Sequence, residues 1–394
     1  MECMMAYGGN NILDLTLSKV YQKYPAQFRG SGTASGFNYS FEVTKAPTAT
    51  LVAGVATHNI VISLANTKIT VTAASGAGPG INQVLPFKAK AKLRIVGGVL
   101  SITGLTVFID NPTGIDALIV AVINAQVVPK LQQTLNGITL PQLDKLFGSS
   151  LSPQVRTGQV ISGPALEIGA RFANVTNLGT ADAPPQANIT SLNNGTATNA
   201  LVIGMVSDDA VNKLIKPLIP PLSDTFNKSG SIPGFGAGIK GTIRATTPVL
   251  TIVNGVGKAK TTVSVSLQAG IKVPIFGWTW KSIPVPDVEV VVNNALSTSG
   301  NKATLTLTGI SSLHVELDWP GFLSPVESLV EGMLDAVVNL FKGKINNAVA
   351  GKKFDLFTLP STIPGTSLGA TLSFETNGLS YSKGSVKALV RVKT

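Results

Sequence analysis

The feature that most constrains this chain is that its order of predicted elements occurs twice. A helical segment, a run of strands, a second helix and a closing strand fill the first half, and the same series fills the second. Self-similarity on this scale means that one structural plan must bury two similar apolar faces. A few letters support the match. TATLVAGV (48–55) resembles PVLTIVNGV (248–256), with Gly54 and Gly255 in corresponding places, and segment 12–24 maps onto 213–225.

In the first half, Leu13, Leu17, Val20, Tyr21 and Tyr24 recur at helical spacing. In the second, Ser207 is suited to an N-cap, and Asp208 and Asp209 favour the first turn beside the helix dipole. Val211, Leu214, Ile215 and Leu218 form its apolar stripe, and Pro217, Pro220 and Pro221 predict an early end. Strands follow over 59–109, and again at 242–253, 261–273, 285–292 and 303–317. Most alternate apolar with polar residues, the pattern of an antiparallel sheet with one wet face.

A second helix is predicted over 115–136, apolar at Leu118, Val122, Leu131 and Leu135, with a kink at Pro129. Its counterpart spans 325–349, where Ser324 and Glu327 read as a capping box and Pro325 as the first helical residue. Val326, Leu329, Val330, Met333, Val337 and Leu340 form the stripe, and Gly351 suits the stop. Closing strands lie near 159–173 and 369–392, and the polar, Pro-containing stretch 180–199 separates the halves. The reading is an α+β chain of an N-terminal domain (1–185), a linker (186–199) and a C-terminal domain (200–394).

Charged residues make up 13% of the 394, against roughly 25% in an ordinary soluble domain. With 44% hydrophobic residues, this calls for a large core or a cavity lined with side chains. The net charge of +11 favours anionic partners. It is spread evenly, 13 basic against 8 acidic residues in 1–195 and 18 against 12 in 196–394, so neither half is a basic tail. One cysteine, Cys3, excludes an internal disulfide, and two histidines are too few for most zinc sites. No metal or cofactor is expected. GFGAGIKG (234–241) contains G-x-G-x-x-G but lacks the preceding strand and following helix of a dinucleotide site. His58 and His314 read as ordinary strand residues, and no catalytic motif is found, so an enzyme is not expected.

SDDAVNKLIKPL (207–218), ATTPVLTIVNG (245–255), VEGMLDAVVNLFKGKINNAVAGKKFDL (330–356) and TLSFETNGLSYSKGSVKALVRV (371–392), with VISLANTKITVTA (61–73), resemble the tubular lipid-binding superfamily. Its members include bactericidal permeability-increasing protein, lipopolysaccharide-binding protein and the plasma lipid-transfer proteins. The resemblance covers nearly the whole chain. It implies two tandem pseudo-symmetric barrels in a boomerang, each a curled, mostly antiparallel sheet around long amphipathic helices, with acyl chains between helix and sheet. Animal members usually carry a disulfide in the first half, which this chain cannot form. MECMMAYGGNN shows no basic n-region followed by an apolar h-region. The resemblance implies an extracellular protein if a leader has been removed, and an intracellular one otherwise.

On this basis the pocket residues are Leu13, Leu17, Val20, Tyr21, Phe87, Leu93, Leu118 and Val122 in the first half, and Leu214, Leu218, Met333 and Val337 in the second. Lys88, Lys90, Lys92 and Arg94 alternate with Phe87, Ala89, Ala91, Leu93 and Ile95, so one strand carries a cationic face and an apolar face. The cations read as an anionic-headgroup stripe or, more plainly, as lysines protecting an edge strand. Trp278 and Trp280, and Trp319 with Phe322, stand near Gly and Pro turns. They read as membrane-interface aromatics or, more plainly, as plugs of a barrel end. The expected partner is a phospholipid, lipopolysaccharide or other acyl-chain ligand, with peripheral membrane contact and no nucleic acid. The alternative is a structural or adhesive β-rich surface protein without a ligand, against which stand the long amphipathic helices.

Overall fold

A computed structural model describes the chain except residues 1–3, 133–152, 173–200 and 360–370 and, elsewhere, stretches of at most three residues. The expected linker, 186–199, lies outside the described residues. The first half contains β1 (Met4–Gly8), α1 (Asn10–Lys23), β2 (Arg29–Ala34), β3 (Phe37–Val43), β4 (Thr48–Leu51), β5 (Ile60–Ala73), β6 (Ile81–Val96), β7 (Val99–Phe108), α2 (Gly114–Gln126), β8 (Pro153–Ile161) and β9 (Ala165–Phe172). The second contains β10 (Leu201–Ser207), α3 (Asp208–Leu218), β11 (Leu222–Ile232), β12 (Phe235–Ala245), β13 (Val249–Val253), β14 (Val256–Val273), β15 (Gly277–Ile283), β16 (Val288–Ser299), β17 (Lys302–Ile310), α4 (Glu327–Val349), β18 (Lys352–Thr358), β19 (Thr371–Ser382) and β20 (Ser385–Lys393).

These strands form two antiparallel sheets, so the α+β class with tandem curled sheets is as read from the sequence. One has twelve strands along β19-β20-β10-β1-β9-β8-β6-β5-β3-β2, with β4 and β7 beside β5 and β6. The other has eight along β11-β12-β14-β16-β17-β18, with β13 and β15 beside β14. Strands β10, β20 and β19 of the second half therefore complete the sheet of the first. Tyr381 on β19 ties the two sheets together: its ring covers Gly257 and its hydroxyl donates to Asn294 Oδ1.

The repeat is visible in local geometry. β4 pairs with the start of β5 and β13 with the start of β14, and Gly54 and Gly255 take φ values of 77° and 75°. In the second half Asn254 also has positive φ (50°), so β13 and β14 join by a tight Asn-Gly hairpin. Each first helix grips its short strand with a polar pair spaced by four residues, which share one helix face. Asn10 and Asp14 accept from the Leu51 and Ala49 amides at 2.8 and 2.5 Å, and Asp208 and Asn212 accept from Ile252 and Leu250 at 3.1 and 2.7 Å. Each later helix repeats the device once. Asn124 on α2 accepts from the Val107 amide at 2.8 Å, and Asn346 on α4 from Ile310 at 2.7 Å.

Two helix starts differ in outcome. Ser207 caps α3 as expected, its Oγ accepting from the Ala210 amide at 3.2 Å. The capping box at α4 does not form. Gly321–Val326 is a 3-10 turn containing Ser324 and Pro325, and the N-cap is Val326, without a side-chain bond. Leu323 and Val326 are buried at 0% and 1% exposure, so core packing decides where the chain enters the helix. Leu340, expected on the apolar stripe, is 62% exposed.

Two predictions follow from these contacts. Asn212→Ala strips both partners from the buried Leu250 amide and carbonyl. A loss of about 1–3 kcal/mol is expected in urea unfolding. Tyr381 is the second case, because burial pushes its hydroxyl up to about 12 from 10.0. Its stabilising contribution is full below its ordinary value and is lost as pH rises through about 12, because the unfolded chain releases the proton first. Tyr381→Phe is expected to be less stable at neutral pH and to narrow that gap in alkaline buffer, read by thermal melts.

Candidate lipid-binding site

The first half holds an apolar cavity of about 150 Å³ between α2 and the inner face of β3, β5 and β6. Phe37, Tyr39 and Phe41 alternate along β3. Ile69 and Val71 stand opposite on β5, Ile81 continues on β6, and Ile119, Val122 and Ile123 descend from α2. The aromatic wall is laid over glycines. Gly30 and Gly32 on β2 pair with Phe41 and Tyr39, and an added Cβ would come within 2.7 and 2.5 Å of the two side chains. The glycines thus let the rings lie across the edge strand, a packing known from other sheets. Phe37, 43% exposed, marks the side open to water.

Of the expected first-half pocket residues, Val122 lines this cavity. Phe87, 1% exposed, belongs to the cluster beneath it, with Ile69, Leu85 and Ile119. Leu13, Leu17 and Leu93 pack in a separate cluster around Ala49, Ile60, Ala91 and Ile102. Tyr21 donates to the Val43 carbonyl at 2.9 Å and meets Phe28 edge-on at 5.2 Å. Val20 and Leu118 fall within helices, and their side chains lie outside the described residues. The aromatics of β3 were missed. Their signal was the alternation F-x-Y-x-F (37–41) after the glycine alternation of R-G-S-G (29–32).

In the second half the space between helix and sheet is filled. Val330, Leu334, Val337, Val338, Phe341 and Ile345 on α4 are 0–5% exposed, and Ile239, Ile243 and Leu305 facing them on the sheet are 0–1% exposed. Burial this complete leaves no water-sized void against these side chains. Leu214 (5%) and Val337 join this core, Met333 packs at its margin over Gly230, and Leu218 is 55% exposed, at the end of α3 where Pro217 stops the turn. The elongated pocket expected in the second half is not formed against these side chains.

The cationic stripe alternates as read: Phe87, Ala89, Ala91 and Ile95 are buried while Lys88, Lys90, Lys92 and Arg94 face the other way. Its strand is not an edge, however, since β6 lies between β5 and β7. The protective reading of the lysines loses its basis. Lys88 pairs with Asp110, Lys90 stands 5.4 Å from the centre of the Phe108 ring, and Lys92 donates to the Ala56 carbonyl at 3.0 Å. The stripe is on the outer face of β6 and the cavity on the inner one. A hydrogen-bonded sheet separates them, so no path runs directly through it from one to the other. Lys88→Ala is expected to change stability by less than about 1 kcal/mol, since the ion pair with Asp110 is exposed; urea midpoints check this.

Trp319 packs, partly buried, against the core, whereas Trp278 and Trp280 stack on each other at 5.0 Å on strand β15. No helix among the described residues is long and apolar enough to cross a membrane, and they contain no cluster of metal-ligating side chains.

No protein-family model matches the chain, and no curated protein matches it. Among solved structures, it is similar to a lipopolysaccharide binding protein at 13% identity and a TM-score of 0.39, covering 100% of this chain and 99% of that one. It is also similar to P47 of Clostridium botulinum E1 at 7% identity and a TM-score of 0.48, covering 100% and 98%. P47 from Clostridium botulinum A2 is similar at 7% identity and a TM-score of 0.47, with 100% and 97% covered.

Proposed function

We propose that this protein is a lipid-binding protein that takes the end of an acyl chain into the first-half cavity. The observation that carries this reading is the wall of Phe37, Tyr39, Phe41, Ile69, Val71, Ile119, Val122 and Ile123, whose polar atoms are few. An apolar cavity of about 150 Å³ has room for roughly a ring of six carbons, and this one is open on the Phe37 side. The space therefore suits a chain terminus, and the rest of the lipid runs out past Phe37. Binding is passive: each methylene leaving water contributes about 0.8 kcal/mol. No step of it calls for a catalytic group, and the protein acts as a carrier or receptor.

The end of the lipid outside the cavity meets a polar cleft of about 460 Å³ on β2, β3 and β5, lined by Arg29, Ser31, Ser40, Glu42, Lys68 and Thr70. It shares Ser40 and Phe41 with the cavity and lies at β2, the end of the sheet, where a chain can pass from one face to the other without crossing hydrogen bonds. Arg29 and Lys68 flank Glu42 across the strands, an arrangement with net positive charge that favours an anionic headgroup.

Val122→Trp fills the cavity from the α2 side. Excluding even two methylenes is expected to weaken uptake of a fluorescent fatty acid roughly tenfold. Leu340→Trp, on the exposed face of α4, is expected to leave it unchanged. Native mass spectrometry of the purified protein should find lipid-sized adducts that Val122→Trp loses. Equal uptake by both variants, or bare protein throughout, would leave a structural or adhesive role as the better account.

A further inference from the structure

Residues 225–286 contain seven Lys or Arg and no Asp or Glu. Within this stretch two hairpins end side by side. β11 turns into β12 at Pro233 and Gly234, and β14 into β15 at Pro274, Ile275 and Phe276. Because Gly236 pairs with Lys272, both tips emerge at one end of the eight-stranded sheet. They present large apolar side chains to water: Ile275 is 100% exposed, Phe276 84% and Phe235 39%. Ile275 has a φ of 80°, the left-handed region where turns carry Gly or Asn and a β-branched residue is an outlier. A fully exposed isoleucine held at a steric cost buries no apolar surface within the chain, which points to a use outside the fold.

Behind the tips lies an aromatic shelf. Trp278 and Trp280 stack over Gly238 and Gly270, where an added Cβ would come within 3.1 and 2.8 Å of the indoles. Lys240 stands 4.2 Å from the centre of the Trp280 ring, and Lys272 pairs with Trp278 across the strands. Apolar points, with indoles and cations side by side behind them, match a bilayer surface read outward from its acyl chains, where aromatic rings and basic side chains share the headgroup region.

We propose that this hairpin end docks on a phospholipid bilayer containing anionic lipid, with Ile275 and Phe276 among the acyl chains, Trp278 and Trp280 at headgroup level, and Lys240 and Lys272 on phosphates. A protein partner fits less well. Three side chains on two narrow tips offer far less than the roughly 800 Å² that a stable interface buries on each partner. The absence of acidic residues across 225–286 leaves both hairpins within that stretch with one sign of charge, suited to an anionic plane. The docking surface does not depend on the first-half cavity.

The test is co-sedimentation with vesicles of phosphatidylcholine, alone or with phosphatidylglycerol. Ile275→Gly with Phe276→Ser is expected to lower binding to both roughly tenfold or more, through lost apolar insertion. Glycine relieves the strained turn, so thermal melts of this variant should match or exceed the wild type. Lys240→Gln with Lys272→Gln is expected to lower binding only to the phosphatidylglycerol vesicles and to reduce its salt dependence. Fatty-acid uptake without vesicles should be unchanged in both variants, so a failure of docking and a failure of the cavity reading are separate results. Wild-type binding by the tip variant overturns the proposal. So does a tip-dependent dimer in analytical ultracentrifugation, which would assign the surface to a second copy of the chain.

Discussion

The antiparallel pairing of β1 with β10 is the seam on which the arrangement of the two halves depends. Five residue pairs, Met4–Val206 to Gly8–Val202, carry it. β1 pairs on its other side with β9, and β10 with β20, so the seam sits inside a sheet and its backbone groups are satisfied on both sides. Helix α3 begins as β10 ends, at the Ser207 cap, and the turn after β19 reaches it: Gly384 accepts from the Asp208 amide and donates to the Ile252 carbonyl, each at 3.1 Å. The second sheet is thus tied to the first through α3, β13 and Tyr381.

Both halves solve the same local problems with the same chemistry. Short strands β4 and β13 cannot pair fully on both sides, and side-chain oxygens of the neighbouring helix take up alternate amides. This costs some helix propensity, since Asn and Asp compete with the helical backbone. Wide aromatic rings are laid over glycines in both sheets: Phe41 and Tyr39 over Gly30 and Gly32, and Trp280 over Gly270. The two surfaces differ in what they face. The β3 rings face inward under α2 and bound a cavity, whereas the β15 indoles are on the sheet's outer face.

The halves also differ in how their helices fill the curl of the sheet. Helix α4 has 23 residues and a stripe from Val330 to Val349 that runs along the sheet without a gap. On α2, Ile119, Val122 and Ile123 face the cavity, and the side chains opposite them, Phe41 and Val71, are only half buried. Flat rings along β3 leave space beneath α2 that Ile and Leu packed against α4 do not. The two halves of a repeated chain thus pack differently, one bounding a cavity and the other filled along α4.

Strand alternation was legible because a pleated strand points successive side chains to opposite faces, so Lys88 to Ile95 sorted itself into two faces before any neighbour was known. Ser207 was legible for a similar reason: a cap is a bond within four residues. The helix at 12–24 and the Gly54–Gly255 correspondence likewise follow from periodicity and local turns, whereas two curled sheets were what the family resemblance implied. What surrounds a strand is not local. Whether β6 was an edge or an inner strand depended on β5 and β7, and whether Ser324 could cap depended on Leu323 and Val326 finding the core. The cavity was decided at the same level, because Phe37, Tyr39 and Phe41 are far in sequence from Ile119 and Val122. Only the curl of the sheet brings them within reach and leaves the gap between them.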